Sequence, residues 1–416
     1  MDPKIRVLFL CDDIRTYSGV GIQANKLLTG LALKKDTFEI AQIGSVVNRA
    51  PRPDPVLYEG VTIYEHPTFG DPYFTRQVMG HFKPDIIIPM GDPRFFTYLF
   101  SMDGDIRKRS KLVFYHLWDN FPFPKFNEPW YKACDELVTL TRFTHELYNA
   151  NSLENTLITH GYDDKEFCKL EEKDYIGMKG DIIRGTKRDD IDFIALWNNR
   201  NMHRKRGADV IEAFHRFYAD YPHSLLIMHT DPISMDGYDL IGVNNDLERF
   251  ENTPVVFSVN KDKSPMLNRL YNLADVSVNV SYNEGFGLCV GESQLAETPV
   301  IANSTGGITE QLVGGDDNSG ESVGILLQPD VQHLFGVPGG TYVYQDFVSI
   351  DKIADAFRIA YNLKKNKGLD EFGKKARELT KTKYNIKDTI SKWENYLLAI
   401  RDKKSTFKPY RNFIIP

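Results

Sequence analysis

The sequence has few cysteines and no long apolar run. Its four cysteines are scattered, and no two of them form a Cys-x-x-Cys pair: Cys11, Cys134, Cys168 and Cys289. This pattern argues against a disulfide framework or a zinc knuckle and fits a reducing compartment. The apolar run after Arg6 is too short for a signal peptide, and no segment approaches the roughly 20 residues of a membrane span. We therefore expect a cytoplasmic, intracellular protein with no transmembrane segment.

The sequence also lacks an excess of positive charge. Its 51 lysines and arginines are outnumbered by 57 aspartates and glutamates, which gives a formal net charge of −6. A chain of this kind has no general electrostatic footprint for nucleic acid. Two local basic stretches are present, at 105–111 and 203–207. A nucleic-acid substrate therefore stays open as an alternative.

The length and the apolar pattern predict two α/β domains. A chain of 416 residues exceeds what one hydrophobic core usually supports. Short apolar runs alternate with helical segments, which predicts doubly wound parallel sheets covered on both faces. We predict a first unit over 1–165, an irregular linker over 166–190, a second unit over 191–385, and a C-terminal helix and tail over 386–416.

Two glycine-rich stretches near the end of the second unit show no clear period. The segments 313–324 and 337–347 are predicted to be surface excursions. The role of the insertion between Val313 and Ile350 cannot be read from the sequence.

The stretch NEGFGLCVGES, residues 283–293, places Glu284 and Glu292 on either side of a glycine loop and a predicted helix start. Gly285 and Gly287 let a ligand approach the backbone, and the N–H groups of a helix that begins near Leu288 are suited to phosphate. Carboxylates beside a phosphate site are left to bind hydroxyl groups. The alternative is a tight turn with two solvated glutamates. A second glycine pair in 305–310, after the next strand, makes that alternative less favourable.

Two further loops follow predicted strands. The basic run 203–206 comes after an apolar strand and is placed to bind phosphate, although a solvated basic turn is the alternative. Gly19 and Gly21 follow the first strand, but their spacing is shorter than a full G-x-G-x-x-G, and a plain turn is again the alternative.

The pattern E-G-F-G-L-x-x-x-E, followed by PVIA and then G-G-x-x-E, resembles the retaining nucleotide-sugar glycosyltransferases of family 4. The segments SGVGIQANKL, KLVFYHLWD, ITHGYDDKEF and NNRNMHRKRGADVIEAF extend the resemblance over nearly the whole chain in the family's order. It implies the GT-B architecture, in which two Rossmann-like domains face each other across a cleft and C-terminal helices pack back towards the first domain. The first domain would face the acceptor and the second would bind the nucleotide sugar.

The resemblance also implies roles for individual residues. The catalytic set would be Glu284, His116, Arg200 and Lys205. The nucleotide-sugar contacts would be Glu292, Gly285, Phe286, Gly287, Leu288, Arg206, Gly19 and Gly21. The acceptor side would comprise Trp118, Asp119 and Asp92. Whether Lys205 or Arg206 is the main diphosphate contact stays open, because the basic run allows both registers.

The implied reaction is transfer of a hexose-type sugar from a nucleotide diphosphate sugar to an acceptor hydroxyl, with retention of anomeric configuration. No metal ligands and no cofactor besides the donor are expected, because cations would neutralise the diphosphate. Alternatives are a nucleotide-sugar epimerase of the same fold, a glycosyltransferase that acts on a modified DNA base, and a lectin. The sequence departs from the family pattern at His160, which replaces an asparagine, and in the stretch WNNRN. It does not identify the nucleotide, the sugar, the acceptor or the oligomeric state.

Overall fold

The computed structural model describes residues 3–46, 50–186, 188–247, 255–259, 264–314, 320–337 and 341–403. Strands and helices alternate through the first half of the chain. The strands are β1 (Ile5–Asp12), β2 (Phe38–Ser45), β3 (Arg52–Tyr58), β4 (Val61–His66), β5 (Ile86–Gly91), β6 (Lys111–His116), β7 (Glu136–Thr139) and β8 (Thr156–Leu157). The helices are α1 (Gly19–Ala32), α2 (Pro72–Phe82), α3 (Thr97–Ser101), α4 (Asp103–Ile106), α5 (Glu128–Lys132) and α6 (Arg142–Asn149).

These strands form one sheet, which within the described ranges has eight members in the order β3-β4-β2-β1-β5-β6-β7-β8. Neighbouring strands are parallel, except that β3 and β4 are antiparallel. Strand β1 shows why its sequence is continuously apolar. Val7 and Phe9 pack into one core cluster, and Leu8 and Leu10 pack into another. Successive side chains point to opposite faces, so a strand covered on both sides buries all of them.

The second half repeats this arrangement. Its strands are β9 (Phe193–Asn198), β10 (Ser224–His229), β11 (Val255–Ser258), β12 (Val276–Asn279), β13 (Val300–Asn303), β14 (Ile325–Leu327), β15 (Val331–Val337) and β16 (Thr341–Phe347). Its helices are α7 (Ile176–Thr186), α8 (Gly207–Tyr218), α9 (Leu240–Leu247), α10 (Ser264–Leu273), α11 (Leu288–Leu295), α12 (Gly306–Leu312), α13 (Ile350–Lys365), α14 (Gly368–Lys383) and α15 (Ile386–Arg401). In the described chain, six strands form a parallel sheet in the order β11-β10-β9-β12-β13-β14, and β15 pairs with β16 in an antiparallel hairpin.

The last helix, α15, packs on the first domain. Trp393 is fully buried, and its ring centroid lies 6.2 Å from that of Phe9 and 5.1 Å from that of Tyr115. A Cβ at Gly30 of α1 would lie 2.3 Å from the side chain of Ile390, so the glycine leaves room for the helix. The end of the described chain therefore forms part of the first domain's core.

The chain crosses between the domains twice at one place. The Tyr162 N–H donates to the Tyr384 carbonyl at 2.7 Å, and the Ile386 N–H donates to the Tyr162 carbonyl at 2.9 Å. A Cβ at Gly161 would lie 2.5 Å from the Ile386 Cα, so a larger residue does not fit there. The two crossings are thus hydrogen bonded to each other as well as adjacent.

Two segments differ from the sequence-based prediction. The predicted linker 166–190 contains helix α7, in which Met178 and Ile182 pack against the core although the glycines of the segment weaken helix propensity. Much of the stretch predicted as a surface excursion over 337–347 is strand β16, whose Thr341 and Gln345 are buried. Residues 315–319 and 338–340, within the predicted excursions, lie outside the described residues.

Candidate active site

The candidate site lies where three neighbouring strands of the second sheet end. Strand β9 leads into a short turn at His203–Lys205, β12 leads into the glycine loop before α11, and β13 leads into the loop before α12. These strands are adjacent and parallel, so their carboxyl ends meet at one edge of the sheet. Ligands of doubly wound sheets bind outside this edge.

Glu284 lies at the centre of a buried ionic cluster. Its carboxylate accepts a hydrogen bond from Lys205 Nζ and another from an Arg204 guanidinium nitrogen at 3.1 Å. Burial disfavours the charged carboxylate, but the two cations outweigh it and lower the pKa of Glu284 to about 2. Glu284 is therefore ionised throughout the physiological pH range.

The second cation of this cluster, Arg204, is absent from the residues that the sequence pattern selects. Arg206 adopts a left-handed conformation with φ of 60° and is fully buried. Its guanidinium lies 4.8 Å from the Tyr282 ring centroid and 4.6 Å from that of Phe347. It also donates to Asp209 and to the Val348 carbonyl. The structure thus directs Arg206 away from Glu284 and into the packing of the second domain.

Arg200 is also separate from the ionic cluster. Its side chain is 69% exposed, and a guanidinium nitrogen lies 2.7 Å from the Asp236 carboxylate. The sequence pattern selects three cations, Arg200, Lys205 and Arg206. Of these three, the structure places Lys205 beside Glu284 and the other two elsewhere. The basic run itself is the signal for Arg204, but the direction of each side chain depends on the turn, which the sequence does not specify.

The glycine loop is closely packed. Gly287 has φ of 86° and directly precedes Leu288, the first residue of α11, so the turn into the helix requires a residue that tolerates a left-handed backbone. A Cβ at Gly285 would lie 2.9 Å from Asp119 Oδ1. The loop thus brings the helix start and the first domain's Asp119 close to Glu284.

Phe286 serves as a packing residue between the domains. It is buried, and its ring centroid lies 5.3 Å from that of His160, 5.9 Å from Tyr162 and 5.5 Å from Tyr384. His160 is the position at which the sequence departs from the family's asparagine. Burial lowers the pKa of His160 to about 3, so this contact is with a neutral ring.

Glu292 lies on α11 in a separate environment from Glu284. Its carboxylate accepts a hydrogen bond from the Tyr271 hydroxyl at 2.9 Å. Burial raises the pKa of Glu292 to about 7, although Lys26 and the Tyr271 hydrogen bond oppose this shift. The two glutamates are therefore in different protonation states near neutral pH, one ionised and one titrating.

The first glycine loop approaches α11 from the other domain. A Cβ at Gly19 would lie 3.5 Å from Leu288 Cδ1, which places the N-terminus of α1 against that of α11. Gly21 is packed more tightly, because a Cβ there would lie 2.4 Å from Thr16 Oγ1. The close packing of the turn before α1 therefore explains why a glycine is at this position.

His116 is predicted to contact the donor sugar, but its ring nitrogens hydrogen bond within its own domain. Its Nε2 lies 2.7 Å from the Tyr131 hydroxyl, and its Nδ1 contacts the Tyr148 hydroxyl. The ring is fully buried, and burial lowers the pKa of His116 to about 3 despite the opposing effect of Asp92. Both nitrogens of a neutral imidazole are occupied, so the structure does not present His116 to the cleft.

The residues predicted for the acceptor side surround one cavity of about 220 Å³. Trp118 and Asp119 line it directly, whereas Asp92 lies behind Arg94, which lines it and donates two side-chain hydrogen bonds of 2.9 Å to Asp92. Burial disfavours ionised Asp92, but Arg94 keeps the pKa of that carboxyl below its usual value. Arg204 and Asn283 line the same cavity, so it adjoins the ionic cluster.

The described residues form neither a metal-binding cluster nor a membrane-spanning helix. No group of three or more histidine, cysteine, aspartate or glutamate side chains in the described ranges is arranged to hold a metal ion. Among the helices that the structure describes, none has the length and apolar character needed to cross a membrane.

Comparison with solved structures defines the class of fold. Sucrose-phosphate synthase from Thermosynechococcus elongatus superposes with a TM-score of 0.71 at 15% identity, over 95% of this chain and 99% of that chain. The Anabaena protein HepE in complex with UDP and glucose superposes with a TM-score of 0.67 at 14% identity, over 95% of this chain and all of that one. The chain therefore has the GT-B fold, which confirms the fold predicted from the sequence.

Sequence comparison covers a smaller part of the chain than structural comparison does. Residues 203–335 match the family model described as glycosyl transferases group 1. Alpha-monoglucosyldiacylglycerol synthase from Acholeplasma laidlawii is 26% identical over 187 residues, which are 42% of this chain and 43% of the relative. The alignment thus spans less than half the length of this curated relative.

Proposed function

We propose that this protein is a glycosyltransferase that moves a sugar from a nucleotide diphosphate sugar to an acceptor hydroxyl with retention of configuration. The carrying observation is that Lys205 and Arg204 converge on Glu284 directly beside the glycine loop and the start of α11. The GT-B fold and the match of residues 203–335 to the glycosyl transferase model support the same activity.

The two cations are suited to a diphosphate leaving group. Charge-assisted hydrogen bonds from lysine and arginine to phosphate are among the strongest polar contacts in proteins. With donor bound, phosphate oxygens would replace part of the Glu284 carboxylate as their partner. Positive charge fixed at this place would then stabilise the charge that develops on the departing phosphate. In this scheme these cations fill the place of a divalent metal.

Glu284 serves to orient the sugar in this scheme. A carboxylate held by two cations is a weak nucleophile and a good acceptor for sugar hydroxyls. The acceptor oxygen attacks the anomeric carbon from the side of the leaving group while the bond from that carbon to the phosphate oxygen breaks. The acceptor proton passes to the departing phosphate oxygen, and the configuration is retained. Glu292, on helix α11, would bind the ribose hydroxyls.

The proposal is tested first by ligand binding. Thermal shift with UDP-, GDP-, ADP- and TDP-glucose should single out one nucleotide, because a ligand at 100 times its dissociation constant stabilises the fold by about 2.7 kcal/mol. Incubation of the stabilising donor with candidate acceptors, followed by NMR of the product, reports the anomeric configuration. An inverted product would remove the retaining mechanism, and a changed donor sugar without transfer would indicate an epimerase. Absence of any nucleotide-dependent shift would contradict the proposal as a whole.

A further inference from the structure

The hairpin formed by β15 and β16 is an insertion between the last strand of the second sheet and α13, and it lies against the first domain. The Tyr344 N–H donates to the Phe121 carbonyl at 2.7 Å, and Asn120 Nδ2 donates to the Tyr344 carbonyl at 3.1 Å. The Asp346 N–H donates to the Tyr282 carbonyl at 2.8 Å, just before Glu284. The hairpin is thus bonded both to the loop after β6 and to the loop after β12.

A buried carboxylate near the base of the hairpin fixes its position. Asp346 accepts from Asn120 Nδ2 and from Gln332 Nε2, each at 2.6 Å. Gln332 lies opposite Asp346 in the hairpin register. Since residues opposite each other share a face, this pair forms one face, which is directed to the loop after β6.

The other face of the hairpin lines the cavity beside the ionic cluster. Thr341, Val343 and Gln345 alternate along β16, and all three line that cavity. Phe335 lies opposite Val343 in the register and lines it as well. Tyr342 also lines the cavity and packs on Phe126, with ring centroids 5.3 Å apart.

Two buried polar side chains of this face line the cavity, and one of them lacks a hydrogen-bond partner among the described residues. Thr341 is 8% exposed, and its Oγ1 has no hydrogen-bond partner among the described residues. Gln345 is equally buried and lines the same cavity. A buried polar group without a partner carries a desolvation cost. A hydroxyl and an amide that both face a cavity are suited to a polar ligand.

The charges around the cavity balance. Arg94 is paired with Asp92, Arg204 and Lys205 with Glu284, and Asp119 supplies a third carboxylate. Once Arg204 and Lys205 neutralise a bound diphosphate, no cation without a partner carboxylate is left in this set for a second anion. The charge pattern therefore favours an uncharged ligand with many hydroxyl groups.

We propose that the cavity between the β15–β16 hairpin and the loop after β6 is the acceptor pocket, and that it takes an uncharged hydroxylated ring such as a sugar or a cyclitol. Thr341 and Gln345 hydrogen bond the acceptor, and Phe335 and Val343 contact its apolar face. The insertion thereby makes a second-domain element the selector of the acceptor. This inference rests on the glycosyltransferase activity proposed above.

The test uses the full chain and the nucleotide sugar that gives the largest thermal shift. Transfer is measured to glucose, maltose and myo-inositol, and to glucose 6-phosphate and inositol 1-phosphate, while hydrolysis of the donor in water is followed separately. Thr341→Val and Gln345→Leu should each raise the acceptor KM roughly three- to tenfold, the size of one net hydrogen bond. In both variants the change in acceptor KM should exceed any change in the rate of donor hydrolysis. Thr341→Ser, which keeps the hydroxyl, should retain the wild-type KM.

Leu334→Ala is the matched control, because Leu334 is exposed on the same hairpin and does not line the cavity. An unchanged acceptor KM in Thr341→Val and Gln345→Leu would overturn the inference. So would higher kcat/KM for the phosphorylated acceptors, or donor hydrolysis without transfer to any uncharged acceptor. A chain that neither binds nor hydrolyses a nucleotide sugar would instead contradict the proposed function itself.

Discussion

The two domains use the polar residues at their strand ends differently. In the first domain these residues are satisfied within the domain: Asp92 by Arg94, and His116 by two tyrosines. In the second domain Glu284 is held by two neighbouring cations of one basic turn, which in the proposed reaction would exchange part of this contact for phosphate oxygens. We infer that the first-domain residues form a preformed wall of the cleft, whereas the ion pair of Glu284 marks the place where the proposed diphosphate would bind.

The largest effect is expected when the charge of Glu284 is removed. Glu284→Gln should lower turnover by on the order of 10²–10³, because the sugar loses its orienting carboxylate while the cations remain. Nucleotide affinity should persist. Steady-state kinetics and a nucleotide titration measure the two separately, with the exposed Glu321→Gln as the matched control. Full activity in Glu284→Gln would refute the assignment.

Arg206 tests whether a cation of the same turn is structural. Arg206→Met should lower the free energy of unfolding by about 3 kcal/mol, because Asp209 loses its buried partner. Nucleotide affinity of the folded fraction should not change. Denaturant titration gives the first quantity, and Arg216→Met, at an exposed position of the following helix α8, should cost no more than about 1 kcal/mol. Weakened nucleotide binding at full stability would reverse the interpretation.

Arg204 is the arginine that the structure places beside Glu284, whereas Arg200 is the one that the sequence pattern assigns to the catalytic set. Arg204→Gln should weaken nucleotide diphosphate binding about tenfold, the loss of one charge-assisted hydrogen bond. Arg200→Gln should have a smaller effect, because Arg200 is exposed and paired with Asp236. Isothermal titration of both variants decides between them. A larger loss in Arg200→Gln would restore the assignment made from the sequence and imply that Arg200 turns inward when the ligand binds.

The smallest effect is expected in the first domain, from His116. Its pKa is about 3 in the folded protein against an ordinary 6.5, so the folded state binds fewer protons than the unfolded chain between these values. The stability contributed by neutral His116 is therefore present above pH 6.5 and is lost as the pH falls towards 3. His116→Gln should lose less melting temperature than wild type between pH 7 and pH 4.5. An exposed histidine variant, His333→Gln, should behave as wild type, and identical pH profiles for His116→Gln and wild type would contradict the prediction.

Sequence and structure agree where local pattern determines the result. Continuous apolar runs specify strands that are covered on both faces, and the glycine loop before α11 specifies a turn that needs a left-handed residue at Gly287. The first of these predicts the two parallel-sheet domains, and the family resemblance implies their GT-B arrangement. Both patterns depend on residues that lie near one another in the chain.

The remaining features depend on contacts that no local pattern contains. Arg204 faces Glu284 because Arg206 takes a left-handed conformation and turns its own side chain into the domain. His116 is occupied by Tyr131 and Tyr148, which come from two later helical segments of the same domain. The sequence of β16 is interpreted as a surface excursion because glycines precede it. The strand forms by pairing with β15, which the local sequence does not show.

The double crossing at Tyr162 and Ile386 has a mechanical consequence. Because these two chain segments are adjacent and hydrogen bonded, we expect any rotation between the domains to be centred near them. Displacement would then grow with distance from these segments. Tyr162 and its neighbour Phe286 would therefore move little during opening. Asp119 and the glycine loop lie outside the crossing segments. They would move further apart, and substrates could then enter the cleft between them.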